Sequence, residues 1–424
     1  MYMSFYTEGL KSHVVDAVHH SSNFRTEFRL KPNTVYLTNF RLANLAVSIA
    51  GAAQYNPLAG ISSTIRSIHL YDGNQLLDQI LEFPLWAGFT AYNRANKSNE
   101  DLQRQLNLNQ LGFVYEGLDL PAADGTSYST DIAKIRTKYD PPQPHGSQPA
   151  KGWLSLKGIL PMLDASLYCP TTVFKNLRLV IEWNTNKGQM TVGDNGTAST
   201  AGDILEPVLL VDEVVNPERQ AQIAKQYKGV QFNAIEHDRV PINAIAVGAG
   251  SVEQTKTVGG FDNKRVNRFL IVNTPQAVAA TDACLGLGST AMFKEKIQIR
   301  INGSNRYPAD GITRPNQRLA LLTDVWGSCN AFPGTNTVLC GKDVAEDNEK
   351  IERVATTRTF GGNLDYFGCT TPMDEPVLEF QIDHTRYSET SALAPQYGAM
   401  NLNVFGEVMK QIVVAGNGYR VVYL

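Results

Sequence analysis

Charge is scarce in this chain: Asp, Glu, Lys and Arg make up 19% of its 424 residues, against 43% hydrophobic residues. So few charges suit a protein that buries much of its outside against neighbours. Neither sign dominates, the formal net charge being -3, so the chain does not grip nucleic acid through its overall field. Long apolar runs are missing too. Stretches such as Ala244 to Val252 are short and broken by Gly and Ser, well under the roughly 20 residues a membrane-crossing helix needs. Ser4, Thr7 and Glu8 stand where the apolar region of a signal peptide would run, so the chain is expected to stay in the cytosol or nucleus of the cell that makes it. The cysteines (Cys169, Cys284, Cys329, Cys340 and Cys369) are odd in number and form no C-x-x-C pair. That argues against a disulfide framework or a zinc site and for buried free thiols. With Gly 34 and Pro 20 near average, collagen-like and disordered classes drop out.

Patterns that carry chemistry are equally absent. His19-His20 is the one close histidine pair, and His69, His237 and His384 are isolated, with no H-E-x-x-H spacing. Gly286-Leu287-Gly288 with Ala291 mimics part of a dinucleotide fingerprint but lacks the strand-helix alternation such a site needs. There is no G-x-S-x-G elbow and no P-loop lysine. Asp212-Glu213 would point to opposite faces of a strand, so the two cannot act as one acid/base dyad. No catalytic, cofactor-binding or metal residue is nominated, and no enzyme is expected.

What the chain does hold is strands. Leu177, Leu179, Ile181 and Trp183 alternate with Arg178, Val180 and Glu182, a period of two with one apolar face. Ile297, Ile299 and Ile301 do the same. Ile412 to Val414, Gly416-Asn417-Gly418 and then Tyr419, Val421 and Tyr423 read as a closing hairpin. Asp72-Gly73 and Asn302-Gly303 mark further turns, needing residues that tolerate positive φ. The N-x-S/T triplets at Asn96, Asn195 and Asn302 are read as turn chemistry. Many short strands with such turns point to an all-β sandwich class, and the length points to two domains.

Three helices are expected. Tyr6, Leu10, Val14, Ala17 and Val18 share one face at helical spacing, which predicts an N-terminal helical arm over residues 1–21. Ser98 with Asp101 can cap a second, carrying Leu102 and Leu106. Asn216 as N-cap, Pro217 in the first turn and Glu218 at the positive dipole end start a third, which runs through Ile223 and Tyr227 to a stop at Gly229. That helix divides the chain into a first sandwich over 22–215, a linker over 216–229 and a second sandwich over 230–424. Leu118 to Gly152 and Cys329 to Pro376 read as long loops, and Glu346 to Arg353 as a solvated loop face. A faint repeat lays Asn176–Trp183 over Asn401–Val408, and the Ile68–Asn74 hairpin over Ile297–Gly303, favouring duplication of one β domain.

Four places carry a likeness to a known family. Phe24–Leu30 and Tyr36–Leu42 look like the opening strands of a first jelly roll. Ile159–Leu160–Pro161 through Leu167–Pro170, then Leu177–Trp183, look like a Pro-marked strand pair and the strand after it. Val211–Arg219 through Tyr227 resembles a last strand and linker helix, and Leu402–Gly418 a set of closing strands with a Gly-containing turn. Taken in order across nearly the whole chain, these resemble the double jelly-roll major capsid proteins of tailless icosahedral double-stranded DNA viruses: the lineage of nucleocytoplasmic large DNA viruses, virophages and polinton-like viruses. Each motif alone is made of common residue types. The chain departs from the large-virus pattern in being shorter and in closing on Gly416-Asn417-Gly418 rather than a longer Gly-rich run.

The resemblance implies two tandem eight-stranded jelly-roll sandwiches, with a short linker helix and few other helices. It further implies a homotrimeric, pseudo-hexagonal capsomer that tiles an icosahedral shell in the virion, with neighbouring capsomers and minor or penton capsid proteins as partners. Through residue 40 only Lys11, Arg25, Arg29 and Lys31 are positive, too few for a genome-binding arm. The apolar stripe of the arm offers contact with an internal membrane, or packing beneath its own sandwich; both stay open. Two other classes compete. One is a β-sandwich spike or lectin, for which Tyr366 beside Asp365 is the best receptor- or carbohydrate-binding candidate; the other is an enzyme with a β-sandwich accessory domain.

Overall fold

A computed structural model describes residues 9–49, 54–55, 59–94, 106–108, 151–185, 191–192, 201–246, 249–276, 295–308, 311–312, 321, 324–326, 366–370, 375–388, 399–416 and 418–424. The helix expected from Ser98 and the loop stretch Glu346 to Arg353 lie outside these residues, as do most of Leu118 to Gly152 and Cys329 to Pro376.

In the first half the strands are, in chain order, β1 (Leu10–Val15), β2 (His19–His20), β3 (Arg25–Arg29), β4 (Val35–Leu37), β5 (Arg41–Leu45), β6 (Val47–Ile49), β7 (Gln54–Tyr55), β8 (Ile65–Asp72) and β9 (Gln75–Ile80). After helix α1 (Phe83–Arg94) come β10 (Gly152–Ser155), helix α2 (Pro161–Ala165), β11 (Tyr168–Pro170), β12 (Leu177–Trp183), β13 (Thr191–Val192), β14 (Ala201–Ile204) and β15 (Val208–Val214). Two sheets face each other. One runs β10-β5-β15-β4-β11 with β1 on the free side of β15, the other β2-β3-β12-β8-β9.

Helix α3 (Pro217–Gln226) follows, then β16 (Gly229–Ile242), β17 (Gly250–Thr257), β18 (Val266–Pro275), β19 (Glu295–Ile301), β20 (Ser304–Asn305), β21 (Tyr366–Thr370), β22 (Phe380–Ser388), β23 (Met400–Ala415) and β24 (Gly418–Tyr423). These again make two sheets, β16-β23-β18-β21 with β24 on β23, and β17-β22-β19-β20. Every named pairing is antiparallel, and the strand order is that of two jelly rolls in tandem.

Alternation explains the cores. On β12, Leu177, Leu179, Ile181 and Trp183 are all at most 2% exposed and join the first core, as the period of two predicts. The Trp183 indole Nε1 donates to Thr26 Oγ1 at 3.0 Å, which satisfies its one polar atom. On β19, Ile297, Ile299 and Ile301 enter the second core. The β8–β9 turn has Gly73 at φ 57°, and the β19–β20 turn has Asn302 at 52° and Gly303 at 75°. Asn302 also ties its turn down: its Oδ1 accepts from Leu378 N at 2.7 Å and its Nδ2 donates to Pro376 O at 3.0 Å. The β23–β24 hairpin closes the chain as expected.

The linker helix starts as the sequence reads. Asn216 Oδ1 accepts from Glu218 N at 3.0 Å and Arg219 N at 3.2 Å, with Pro217 in the first turn. Its end differs. The helix stops at Gln226 with Tyr227 in an extended conformation, and Gly229 already belongs to β16. Gly229 is required there for another reason. Its φ is +116°, and a Cβ would sit 1.9 Å from the Ile412 carbonyl oxygen.

Several expectations are corrected. Leu10–Val15 is not helical: it is β1, paired antiparallel with β15 from Leu10↔Val214 to Val15↔Leu209. The helical spacing of Leu10 and Val14 also places them on one strand face, and β15 offers ladder hydrogen bonds that an isolated short helix lacks. So the first roll opens at β1, ahead of Phe24–Leu30, and the segment is not a separate arm. Pro161–Ala165 is helix α2, so only β11 of the expected Pro-marked strand pair is a strand. The repeat holds in one of its two alignments. The β8–β9 and β19–β20 hairpins occupy matching places, but β12 is the second strand of its sheet's β3-β12-β8-β9 order, where the second roll has β22 and not β23.

Replacing Trp183 with Ala should cost about 3–5 kcal/mol of stability, the usual range for emptying a large aromatic site. Denaturant unfolding of the purified protein checks this, and an unchanged midpoint would place the indole outside the core.

Candidate assembly interface

In the second roll's sheet β16-β23-β18-β21, strand β18 is apolar on both faces. Phe269, Leu270, Ile271 and Val272, four residues in a row, are each 0% exposed. Phe269 and Ile271 point into the second roll's own core, while Leu270 and Val272 join the core of the first. Strand β23 divides in the same way, with Leu402 and Val404 inside and Phe405 turned to the first roll. A sheet buried on both sides loses the polar alternation of a solvated one.

The first roll meets that face with α2 and β9 and, through aromatic rings, with α1, which the sequence reading missed. Phe83, Leu85, Trp86, Ala87 and Phe89 are all buried, so this part of the helix lacks the polar face that usually reveals one. The Trp86 ring centroid lies 5.6 Å from Phe405 and 5.7 Å from Trp326, and Phe89 lies 5.5 Å from Trp326. Trp326 Nε1 donates to Phe269 O at 3.0 Å. Arg268 sits 4.0 Å over the Trp326 ring and forks onto Glu407 at 2.9 and 3.1 Å. Trp86, Phe89, Arg268, Trp326 and Glu407 line a cleft of about 490 Å³ between the rolls, with Pro161 beside them.

A polar seam runs beside the aromatic one. Asp78 on β9 is fully buried, its Oδ2 accepting from Met162 N at 2.8 Å and its Oδ1 from Gln79 N at 2.9 Å. Burial pushes its carboxyl up to about 7, against the pull of those donors and of Lys410. Lys410 on β23 is 1% exposed, and burial holds its ammonium below the usual lysine range, with Asp78 and Glu236 opposing. Its Nζ lies 5.1 Å from the Tyr423 ring, whose hydroxyl donates to Glu236 Oε1 at 3.0 Å. Further along, Tyr419 donates to Asp72 Oδ2 at 2.9 Å and packs edge-on against Phe174.

The residues weighed for chemistry do not converge. His69 hydrogen-bonds Ser67 and Gln79, and His237 lies against Asn403 and Phe405; burial lowers the pKa of both. His20 meets Thr26 and Ile204, and His384 is buried in the second roll. Among the described residues no three His, Cys, Asp or Glu side chains form a metal-holding group. Asp212 and Glu213 do face opposite ways: Asp212 takes Ser12, Asn39 and Arg41, and Glu213 takes Thr34 and His13. Cys169 is a buried free thiol, raised to about 12 by burial. The remaining cysteine side chains, Asp365, the Tyr366 side chain and Gly286 to Ala291 lie outside the described residues.

No protein-family model matches the chain, and no curated protein matches it in sequence. Solved structures do match, over nearly its whole length. The mavirus major capsid protein aligns with TM-score 0.54 and 10% identity, covering 97% of this chain and 90% of its own. A cryo-EM structure of the Sputnik virophage aligns with TM-score 0.55 and 12% identity, covering 98% and 88%. A quasi-atomic model of the PBCV-1 virus capsid aligns with TM-score 0.50 and 11% identity, covering 98% and 97%. The chain has the double jelly-roll fold. Identities this low mean that the likeness lies in the path of the backbone: two rolls joined by α3 and packed through one shared sheet.

The Asp78 seam makes the stability of this double jelly roll depend on pH. Its folded pKa of about 7 lies above the unfolded carboxylate range, so its contribution is greatest below about pH 4 and is lost as pH rises through 7. Asp78→Asn should flatten that decline. Melting curves of both proteins between pH 4 and 8 check it, and parallel curves would count against an ionising Asp78.

Proposed function

We propose that this chain is a viral major capsid protein, the subunit of homotrimeric, pseudo-hexagonal capsomers that tile an icosahedral shell. The observation that carries the reading is the end-to-end alignment with the mavirus major capsid protein, 97% of this chain on 90% of that one, including both rolls. A shared roll alone would speak only for a β-sandwich, since folds host many functions. Two rolls packed side by side through one sheet are what a six-lobed ring of three chains needs, and a heterologous surface repeated by rotation closes such a ring. The low charged fraction, 19%, fits a surface buried against copies of itself. On this reading the chain resides in the virion, its role is architectural rather than catalytic, and neighbouring capsomers and minor or penton proteins are its partners. Contact with an internal membrane stays within the proposal but loses its amphipathic-helix argument, because Leu10–Val15 is a strand of the first roll. The spike or lectin reading has no described feature in its favour.

Purified protein at micromolar concentration should sediment as a trimer with obligate interfaces, each burying more than about 2,000 Å². Electron micrographs of such preparations, or of particles holding the chain, should show six-lobed capsomers. A monomer as the sole species would overturn the proposal.

A further inference from the structure

The first roll sets two arginines side by side. Arg29 on β3 and Arg178 on β12 are direct cross-strand partners, and since Phe28 and Leu179 next to them enter the core, both point outwards. Like charges directly opposite destabilise a sheet. Glu27, also on β3, relieves part of that cost: its Oε1 accepts from Arg29 Nε at 2.9 Å, and its Oε2 lies 3.6 Å from Arg178 Nη1. One carboxylate between two guanidiniums leaves one positive charge uncancelled. The Glu27 side chain is 7% exposed and that of Arg29 64%, so the excess faces solvent.

Two connections bring further groups to the same end of the roll. Arg178 Nε donates to Gly73 O in the β8–β9 turn at 3.0 Å, and Gly73 N donates to Asn176 O, just before β12, at 3.0 Å. Between them lies a cavity of about 470 Å³ whose lining includes Arg29, Arg178, Lys175, Asn74 and Asn176. Among the described residues that line it there is no carboxylate and no aromatic ring. Asp72 is not part of the lining; its oxygens accept from Asn176 N and the Tyr419 hydroxyl. Lys175 is exposed and has no carboxylate partner among the described residues. It adds a second uncancelled positive charge to the first.

We infer that this cavity binds a small phosphate monoester, free or as the headgroup of a lipid. Charge selects the ligand. A phosphate monoester carries about −1.5 to −2 near neutral pH, which matches the excess, whereas a carboxylate or a phosphodiester would cancel only half of it. Glu27 and the Gly73 carbonyl fix the two guanidiniums, so their remaining N–H groups meet phosphate oxygens as planar forks. A lining without aromatic rings offers no platform for stacking a nucleobase. The body of the ligand is therefore polar, a polyol within reach of the Asn74 and Asn176 amides. The volume falls in the range of small-ligand sites. The site lies wholly within one chain and does not depend on assembly.

Titration calorimetry with glycerol 3-phosphate at low ionic strength tests it. The purified protein should bind one equivalent per chain, and glycerophosphocholine, a diester of the same polyol, should bind at least about tenfold more weakly. Lys175→Ala and Arg29→Met should each weaken glycerol 3-phosphate at least about tenfold, the loss expected for a hydrogen bond between charged groups. Both side chains are exposed, so the far-UV spectrum should not change. Lys225→Ala, which removes an exposed cation from α3, should leave the affinity as it is. Flotation with phosphatidylcholine vesicles carrying phosphatidic acid identifies the source. Flotation that Lys175→Ala abolishes assigns the lipid headgroup; calorimetric binding without flotation assigns the free ester. No binding of glycerol 3-phosphate at millimolar concentration, or binding that Lys175→Ala and Arg29→Met leave alone, would overturn the site. Equal weakening by Lys225→Ala would also overturn it, by tracing the affinity to surface charge in general.

Discussion

The structure depends on one stretch of strand, on β18, that has no wet side. Phe269 to Val272 alternate between two cores, and each of the four residues is completely buried. Burying apolar surface stabilises by about 25 cal/mol per Å², so exposing the face that carries Leu270, Val272 and Phe405 would cost several kcal/mol. The second roll is therefore not an independent sandwich joined by a flexible tether. It needs the first roll as a cover, and α2, β9 and α1 with its Trp86 and Phe89 together supply that cover. The relative placement of the rolls follows from packing rather than from the linker helix.

Polar groups then restrict that packing. The aromatic contacts fill space, but the Tyr419–Asp72 hydrogen bond joins the two rolls directionally, and the Lys410 ammonium of the second roll interacts with Asp78 of the first. An unpaired buried charge costs far more than a misplaced methyl group, so these two contacts oppose sliding that hydrophobic contact would tolerate. Asp78 with Met162 and Gln79, and Arg268 with Glu407, hold each roll's own surface in shape. A rigid pair of rolls is what a shell subunit requires, because angular error in one block accumulates across a facet.

Much of the fold was legible in the chain. Period-two alternation on Leu177–Trp183 and on the isoleucines of β19 named core faces correctly, and the Gly73 and Asn302–Gly303 turns fell where positive φ is needed. Asn216 and Pro217 marked the linker helix. The failures have physical causes. Leu10 and Val14, four apart, fit a helix face and a strand face alike, and only the availability of β15 decides. From Phe83 to Phe89 the α1 helix is buried all round, so periodicity had no polar side to show there. Strands β12 and β23 look alike because both are central and apolar, although they hold different places in their sheets.

By itself, the sequence determined the local matters: strand-rich class, turn positions, the start of α3, and a duplicated hairpin. Each of these rests on interactions between residues close together along the chain, where residue type and spacing are enough. The tertiary structure alone decided which roll covers which face, and that Asp78 and Lys410 are buried in one seam. An apolar run such as Phe269 to Val272 states that both its faces must be covered; it carries no information about what covers them, because hydrophobic attraction is non-directional, and the cover on the Leu270 and Val272 side comes from the other half of the chain.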